Sequence, residues 1–203
     1  MRTRKIDLHK IHKLEYITPK DPVLVETSPG SYLSIDGMGE PGGEEFTRRL
    51  GALYAVAHTM KMSKKNTGED YVVSKLEALW WGVTGPGDFS AEPKSDWSWK
   101  LMIRTPEFVT DNDLQDAIYV CQKKGKTPEI AKVRLEAIHE GLCVQILHEG
   151  PYTEENRTIA RMNDFVEKKG LYFHGLHHEI YLSDPNRVPP ERLRTILRMP
   201  VVE

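Results

Sequence analysis

The stretch His177-His178-Glu179-Ile180-Tyr181-Leu182, closed by Ser183-Asp184-Pro185, decides how this chain is read. Side chains alternate faces along an extended segment, so His177, Glu179 and Tyr181 share one side and His178, Ile180 and Leu182 the other. Ile180 and Leu182 mark the core side. A carboxylate beside a tyrosine and an imidazole is then left facing either solvent or a pocket.

An earlier segment echoes this one. Lys100-Leu101-Met102-Ile103-Arg104-Thr105-Pro106, laid beneath Glu179 to Pro185, aligns Leu101 with Ile180, Ile103 with Leu182 and Pro106 with Pro185. The match reads as an ancient duplication. Lys100 then stands where Glu179 stands, which puts the acid on only one side of a cleft between the two copies.

Residues 1 to 21 are polar and basic and read as an N-terminal arm. Val23 to Gly37 reads as a strand kinked at Ser28-Pro29-Gly30. From Glu44 the spacing is helical, with Phe46, Leu50, Tyr54 and Ala57 on one stripe and an end near Met62. Tyr71-Val72-Val73 and Leu76 to Trp81 read as one long strand or two short ones, and Trp97 to Ile103 as another, after a soft loop from Gly82 to Ser95. Thr110 with Asp113 resembles a helix cap, and Thr127-Pro128 starts a further short helix. The second half repeats the pattern. It has a strand from about 135, turning at Glu149-Gly150-Pro151, then a helix from Thr153 carrying Ile159, Met162, Phe165 and Val166. Strands at Leu171-Tyr172-Phe173 and at the opening stretch follow. Residues 189 to 197 read as a closing helix and 199 to 202 as an edge segment.

The sum is an α+β domain over residues 22–203 built from duplicated βαββ modules. The first half covers about 22–109, connecting helices about 110–134, and the second half about 135–203. Antiparallel sheets with helices on one face are expected. The ligand cleft between the halves is expected to be lined by the opposite sheet faces.

Composition narrows the function classes. The 203 residues carry 29% charged and 39% hydrophobic side chains and a formal net charge of -2, so nothing in the charge balance favours nucleic acid. Basic residues open the chain, in Met1-Arg2-Thr3-Arg4-Lys5, but no apolar run follows, and the expectation is no signal peptide, no membrane span and a cytoplasmic protein. Cys121 and Cys143 are too few for a disulfide scaffold and read as buried thiols. His174, His177, His178 and Glu179 invite a metal reading, yet His177 and His178 point apart on a strand and no His-Glu-x-x-His pair is present, so no metal and no cofactor are expected.

Four segments together resemble the GyrI-like (gyrase-inhibitor-like) small-molecule-binding domain family from Val23 onward. They are Asp36-Gly37 with Gly39, Leu76-Glu77-Ala78-Leu79-Trp80-Trp81, His148-Glu149-Gly150-Pro151-Tyr152, and His178 to Pro185 running on to Pro200-Val201. The resemblance implies a duplicated βαββ fold whose central cleft binds lipophilic, often cationic aromatic compounds, with an acidic residue at the position of Glu179. It also implies two alternatives to multidrug binding and sequestration. One is a hydrolase that opens strained cyclopropanoid electrophiles, and the other a protein-interaction module for gyrase or a regulator. With the two halves filling residues 22–203, no helix-turn-helix of the regulator members is expected within these residues.

A carboxylate in an apolar, aromatic cleft loses hydration, and a ligand cation restores the balance. Tyr71, Trp80 or Trp81, and Tyr181 offer faces for stacking and cation-π contacts. Tyr152 would close one end, and His177 shares the Glu179 face. Trp80 and Trp81 alternate, so only one of them is expected to line the cleft. For hydrolysis the expected pair is Glu179 as general base for water and Tyr71 as hydrogen-bond donor to the substrate carbonyl. Trp97 and Trp99 share parity with Leu101 and Ile103 and read as core.

Overall fold

The computed structural model describes residues 5–85 and 91–203; residues 1–4 of the basic start and 86–90 of the loop after Trp81 lie outside the description. Nine strands are β1 (Val23–Glu26), β2 (Gly30–Met38), β3 (Leu76–Trp81), β4 (Ser98–Thr105), β5 (Arg134–Ile138), β6 (Leu142–Glu149), β7 (Tyr172–Phe173), β8 (His177–Tyr181) and β9 (Arg194–Val202). The helices are α1 (Leu8–Ile11), α2 (Glu44–Asn66), α3 (Asp111–Lys123) and α4 (Glu155–Lys168). All strands join one antiparallel sheet in the order β1-β6-β9-β8-β3-β4-β2-β5, with β7 pairing β9 beside it.

The duplicated βαββ pattern is present as β2-α2-β3-β4 and β6-α4-β8-β9. The halves meet where β3 pairs with β8, with Ala78 opposite Glu179. Both β2 and β6 lead to a glycine at positive φ before their helix, Gly39 at 111° and Gly150 at 132°. This topology makes β8 the counterpart of β3, and β9 the counterpart of β4. The sequence echo between Lys100 and Glu179 therefore joined strands that are not equivalent, and Ala78 rather than Lys100 faces Glu179.

Three further expectations change. The kinked strand is two strands with different partners, β1 on β6 and β2 between β4 and β5. The segment from 135 splits, because β5 pairs with β2 of the first half while β6 begins at Leu142. The closing helix is a short 3-10 turn, Pro190–Arg192, followed by β9, which lies between β6 and β8 in the sheet. Thr195, Ile196, Leu197 and Arg198 are consecutively buried, so neither face of β9 shows the polar alternation by which a strand is recognised.

Helices α2 and α4 lie on one face of the sheet. Under α2, Leu33, Ile35, Trp99, Leu101 and Ile103 pack with Leu53, Val56 and Met60 from the helix. Under α4, Val144, Ile146 and Leu197 pack with Met162 and Val166. Each such side chain, withdrawn from water, contributes roughly 1.5–3 kcal/mol. Trp99 is fully buried because its cross-strand partner is Gly37, where a Cβ would sit 2.1 Å from the indole ring. The capping box at Thr110 and Asp113 starts α3 as expected.

The opposite face carries a buried polar network closed over by the N-terminal segment. Tyr16 donates to Glu77 at 2.9 Å, and Arg104 donates to Glu15 at 2.8 Å. Between Glu77 and Glu140 lies the His178 ring, with a nitrogen 3.0 Å from each carboxylate. Arg198 contacts Glu140 at 3.1 Å and donates to Gln145 at 2.8 Å and to the Glu15 carbonyl. Charges this deep survive only when paired and hydrogen-bonded. Burial alone would hold His178 neutral, but its two carboxylates raise it to about 9. Burial likewise opposes the Glu140 charge, yet His178 and Arg198 lower its pKa to about 2.

Candidate functional site

The site lies on the helix-covered face, between α2 and α4 and above β3 and β8, as a cleft of about 1690 Å³. The expectation that the helix-free face lines it fails, because the N-terminal segment occupies that face. The period of α2 brings Phe46, Leu50, Tyr54 and His58 to one wall, each one turn from the next. The α4 wall contributes Glu155 and Ile159, and the floor is Trp80, His177, Glu179 and Tyr181.

Strand alternation placed His177, Glu179 and Tyr181 on the cleft side and His178 and Ile180 on the other, and the structure agrees. Tyr181 donates its hydroxyl to Glu179 Oε2 at 2.6 Å and accepts from Trp80 Nε1 at 3.2 Å. His177 Nε2 is 3.4 Å from Glu179 Oε1. A chain of fixed donors therefore ends on the Glu179 carboxylate and holds its orientation. The Tyr152 ring stands edge-on to Tyr181 with centroids 5.9 Å apart and closes one side. Burial first, and then the negative charge of Glu179, push the Tyr152 hydroxyl up to about 12.

Two sequence candidates are not brought to the cleft. Trp81 points to the other sheet face, where it packs with Tyr32, Leu79 and Met102, so Trp80 is the indole of the floor. Tyr71 is buried in the core under α2, edge-on to Phe108, and is not among the cleft-lining residues. The hydrogen bond to a substrate carbonyl that was expected from Tyr71 has no geometry to support it. Of the two tryptophans read as core, Trp99 is core and Trp97 lines the cleft, edge-on to Trp80 at 6.1 Å.

The residue that sequence reasoning missed is Glu155. It sits in the first turn of α4 with only 8% of its surface exposed. Donor atoms of Glu155, His177 and Glu179 all lie within 4.8 Å of one another, close enough to share a proton or a cation. Burial, reinforced by the charge of Glu179 and a hydrogen bond to it, raises the Glu155 carboxyl well above the ordinary range. Two carboxyls pressed together in an apolar cleft disfavour the doubly ionised state.

Residues 32–202 match the family model described as a GyrI-like small molecule binding domain. No curated protein is significantly similar to the chain. An uncharacterized conserved protein from Listeria innocua is 40% identical with a TM-score of 0.91, covering 98% of this chain and all of that one. A hydrolase from Listeria innocua is 38% identical with a TM-score of 0.87 over the same shares of the two chains. The C-terminal domain of EcmrR shares the fold at 13% identity, with a TM-score of 0.58 over 90% of this chain and 98% of that domain.

Proposed function

The chain belongs to the GyrI-like small-molecule-binding family, and on that premise we propose that it is a hydrolase that binds lipophilic aromatic compounds in the cleft and adds water to a strained, carbonyl-conjugated cyclopropane. The observation that carries this reading is the Glu179 carboxylate. It is 12% exposed, fixed by Tyr181 and set in a floor of aromatic rings. The kinship to a full-length hydrolase at 38% identity supports it.

Glu179 takes a proton from water, and the water oxygen bonds to the ring methylene. The carbon–carbon bond breaks toward the carbonyl, whose oxygen receives the electron pair as a phenolate or enolate; the proton held by Glu179 then leaves to solvent, from which that oxygen is protonated, so the base is restored and the net change is addition of one water. Ring strain and conjugation supply most of the driving force, so the protein's part is to hold base, water and ring in line. Tyr181 and Trp80 fix the base, and Phe46, Tyr54 and Trp97 flank the aromatic body of the substrate.

A second reading, binding and sequestration of lipophilic cations, is favoured by the same carboxylate among aromatic faces, where each cation-π contact contributes roughly 0.5–2 kcal/mol. A spirocyclopropyl dienone separates the two, because ring opening abolishes its dienone absorbance. Turnover that is lost in Glu179→Gln establishes the hydrolase. Micromolar binding of a rhodamine dye without any turnover leaves the binder. Neither, together with a stoichiometric protein partner such as gyrase, would move the function to protein interaction.

A further inference from the structure

The carboxyl beside Glu179, that of Glu155, is not needed for the reaction proposed above, and this is what makes it informative. A conjugated cyclopropane releases a delocalised anion at an oxygen lying across the ring from the attacked carbon. Such an anion is a weak base, and a proton donor beside Glu179 would be badly placed to reach it. Glu155 nevertheless stands there with its Oε1 buried and without a hydrogen-bond partner among the described residues. It approaches Glu179 and His177 closely. A carboxyl that near to a general base is placed to serve a leaving atom bonded to the carbon under attack. The leaving atom must also be too basic to depart without a proton. An oxirane meets both conditions, since its attacked carbon and leaving oxygen are bonded and the leaving group is an alkoxide.

We propose that the cleft also hydrolyses lipophilic aromatic oxiranes, with Glu155 protonating the ring oxygen as Glu179 takes the proton of the attacking water. This rests on the hydrolase reading of the same cleft. In the step, a water O–H bond breaks toward Glu179, the water oxygen bonds to the ring carbon, and the carbon–oxygen bond breaks toward oxygen. That oxygen receives the Glu155 proton, which gives a vicinal diol. The proton gained by Glu179 then returns to Glu155 across their contact, so both carboxyls are restored and the net change is addition of one water.

The groups facing the pair agree with this assignment. From β8 these are Tyr181, which donates to Glu179, and His177; from the turn before α4, Tyr152. The cation of Lys94, in the short turn before β4, acts on Glu155 in the opposite sense, favouring its ionised form, but is outweighed by burial and by Glu179. Aromatic walls select an aryl substituent on the oxirane, and Tyr54 and Phe46 lie across the cleft from Glu155 on α2.

The test compares phenyl oxirane and naphthyl oxirane with the spirocyclopropyl dienone on the full chain, on Glu155→Gln and on Glu155→Asp, with diol formation followed by chromatography. The expected result is diol formation by the parent protein. In Glu155→Gln, which keeps the size and a hydrogen bond to Glu179 but has no acidic proton, the oxirane kcat should fall about 10²–10⁴-fold. The dienone rate should fall at least tenfold less, and Glu155→Asp should recover part of the oxirane rate. Dienone turnover without any oxirane hydrolysis by the parent protein would overturn this inference and leave the hydrolase reading standing. Equal losses on both substrates would make Glu155 a structural support only, which also overturns it. No turnover of either substrate would overturn both.

Discussion

Glu140→Gln tests whether the network on the far face of the sheet holds the site in place. In the native chain Glu140 Oε2 meets His178 Nδ1 at 3.0 Å and Arg198 Nη1 at 3.1 Å, with 10% of the Glu140 side chain exposed. Those contacts move its pKa from 4.5 to about 2. At 1.36 kcal/mol for each tenfold change in the equilibrium, this corresponds to about 3 kcal/mol of stability at neutral pH. The same contact is what raises His178, so the two displacements describe one interaction and do not add. About 3 kcal/mol agrees with the usual 3–5 kcal/mol for leaving a buried charge without its partner. A group whose folded pKa is depressed stabilises above its unfolded pKa and loses that contribution as pH falls toward the folded value. Urea unfolding should therefore show parent and variant about 3 kcal/mol apart at pH 7 and only about 1–1.5 kcal/mol apart at pH 3. His178 lies between His177 and Glu179, so turnover of the dienone should also fall about tenfold or more from misplacement of the base. A gap under about 1 kcal/mol at pH 7, or one that does not change between pH 7 and pH 3, would mean that the Glu140 contacts do not stabilise the fold in this way.

Further outcomes follow from the same geometry. His178, raised to about 9, contributes stability that is complete below its unfolded value near 6.5 and is lost as pH climbs through about 9; the melting temperature should drop between pH 7 and pH 10, and less so in His178→Gln. Tyr181→Phe removes the 2.6 Å donation to Glu179 and leaves Trp80 Nε1 without its acceptor; dienone kcat should fall about 10–100-fold, reflecting roughly 1.5–3 kcal/mol for a charge-assisted hydrogen bond. Gly37→Ala forces a Cβ into the Trp99 ring and should cost about 1–3 kcal/mol in urea unfolding, with altered tryptophan fluorescence. Trp81→Phe, on the far face, should change dienone KM less than twofold, whereas Trp80→Phe, in the floor, should change it severalfold.

Where the side-chain period was clean, the sequence was legible. Alternation through His177, Glu179 and Tyr181 put these side chains on one face, and the four-residue spacing of Phe46, Leu50 and Tyr54 gave a helix, whose stripe the structure turns into one wall of the cleft. The βαββ duplication was also visible, though its register was not. Strand β9 was misread because Pro190-Glu191-Arg192 resembles a helix start and the following residues are buried on both faces, which erases the period of two. Glu155 passed unnoticed because an acidic residue in the first turn of a helix is already explained by the helix dipole. Nothing local distinguishes such a residue from one that is buried against a second carboxyl. The polar network was equally hidden. Glu15, Glu77, Glu140, Arg104 and Arg198 are scattered along the chain, and only the antiparallel registers of β3, β4, β6, β8 and β9 together with the N-terminal segment bring them together. Tyr71 carried a plausible chemical type with no positional constraint, and the fold spent it on the core.

The most direct measurement is a crystal structure of Glu179→Gln soaked with the intact spirocyclopropyl dienone. The unopened substrate should occupy the cleft between α2 and α4, its aromatic body against Trp80, Trp97 and Tyr54, and its ring methylene facing residue 179 across one water. Substrate bound elsewhere, or bound in the cleft with the cyclopropane turned away from residue 179, would contradict the hydrolase reading.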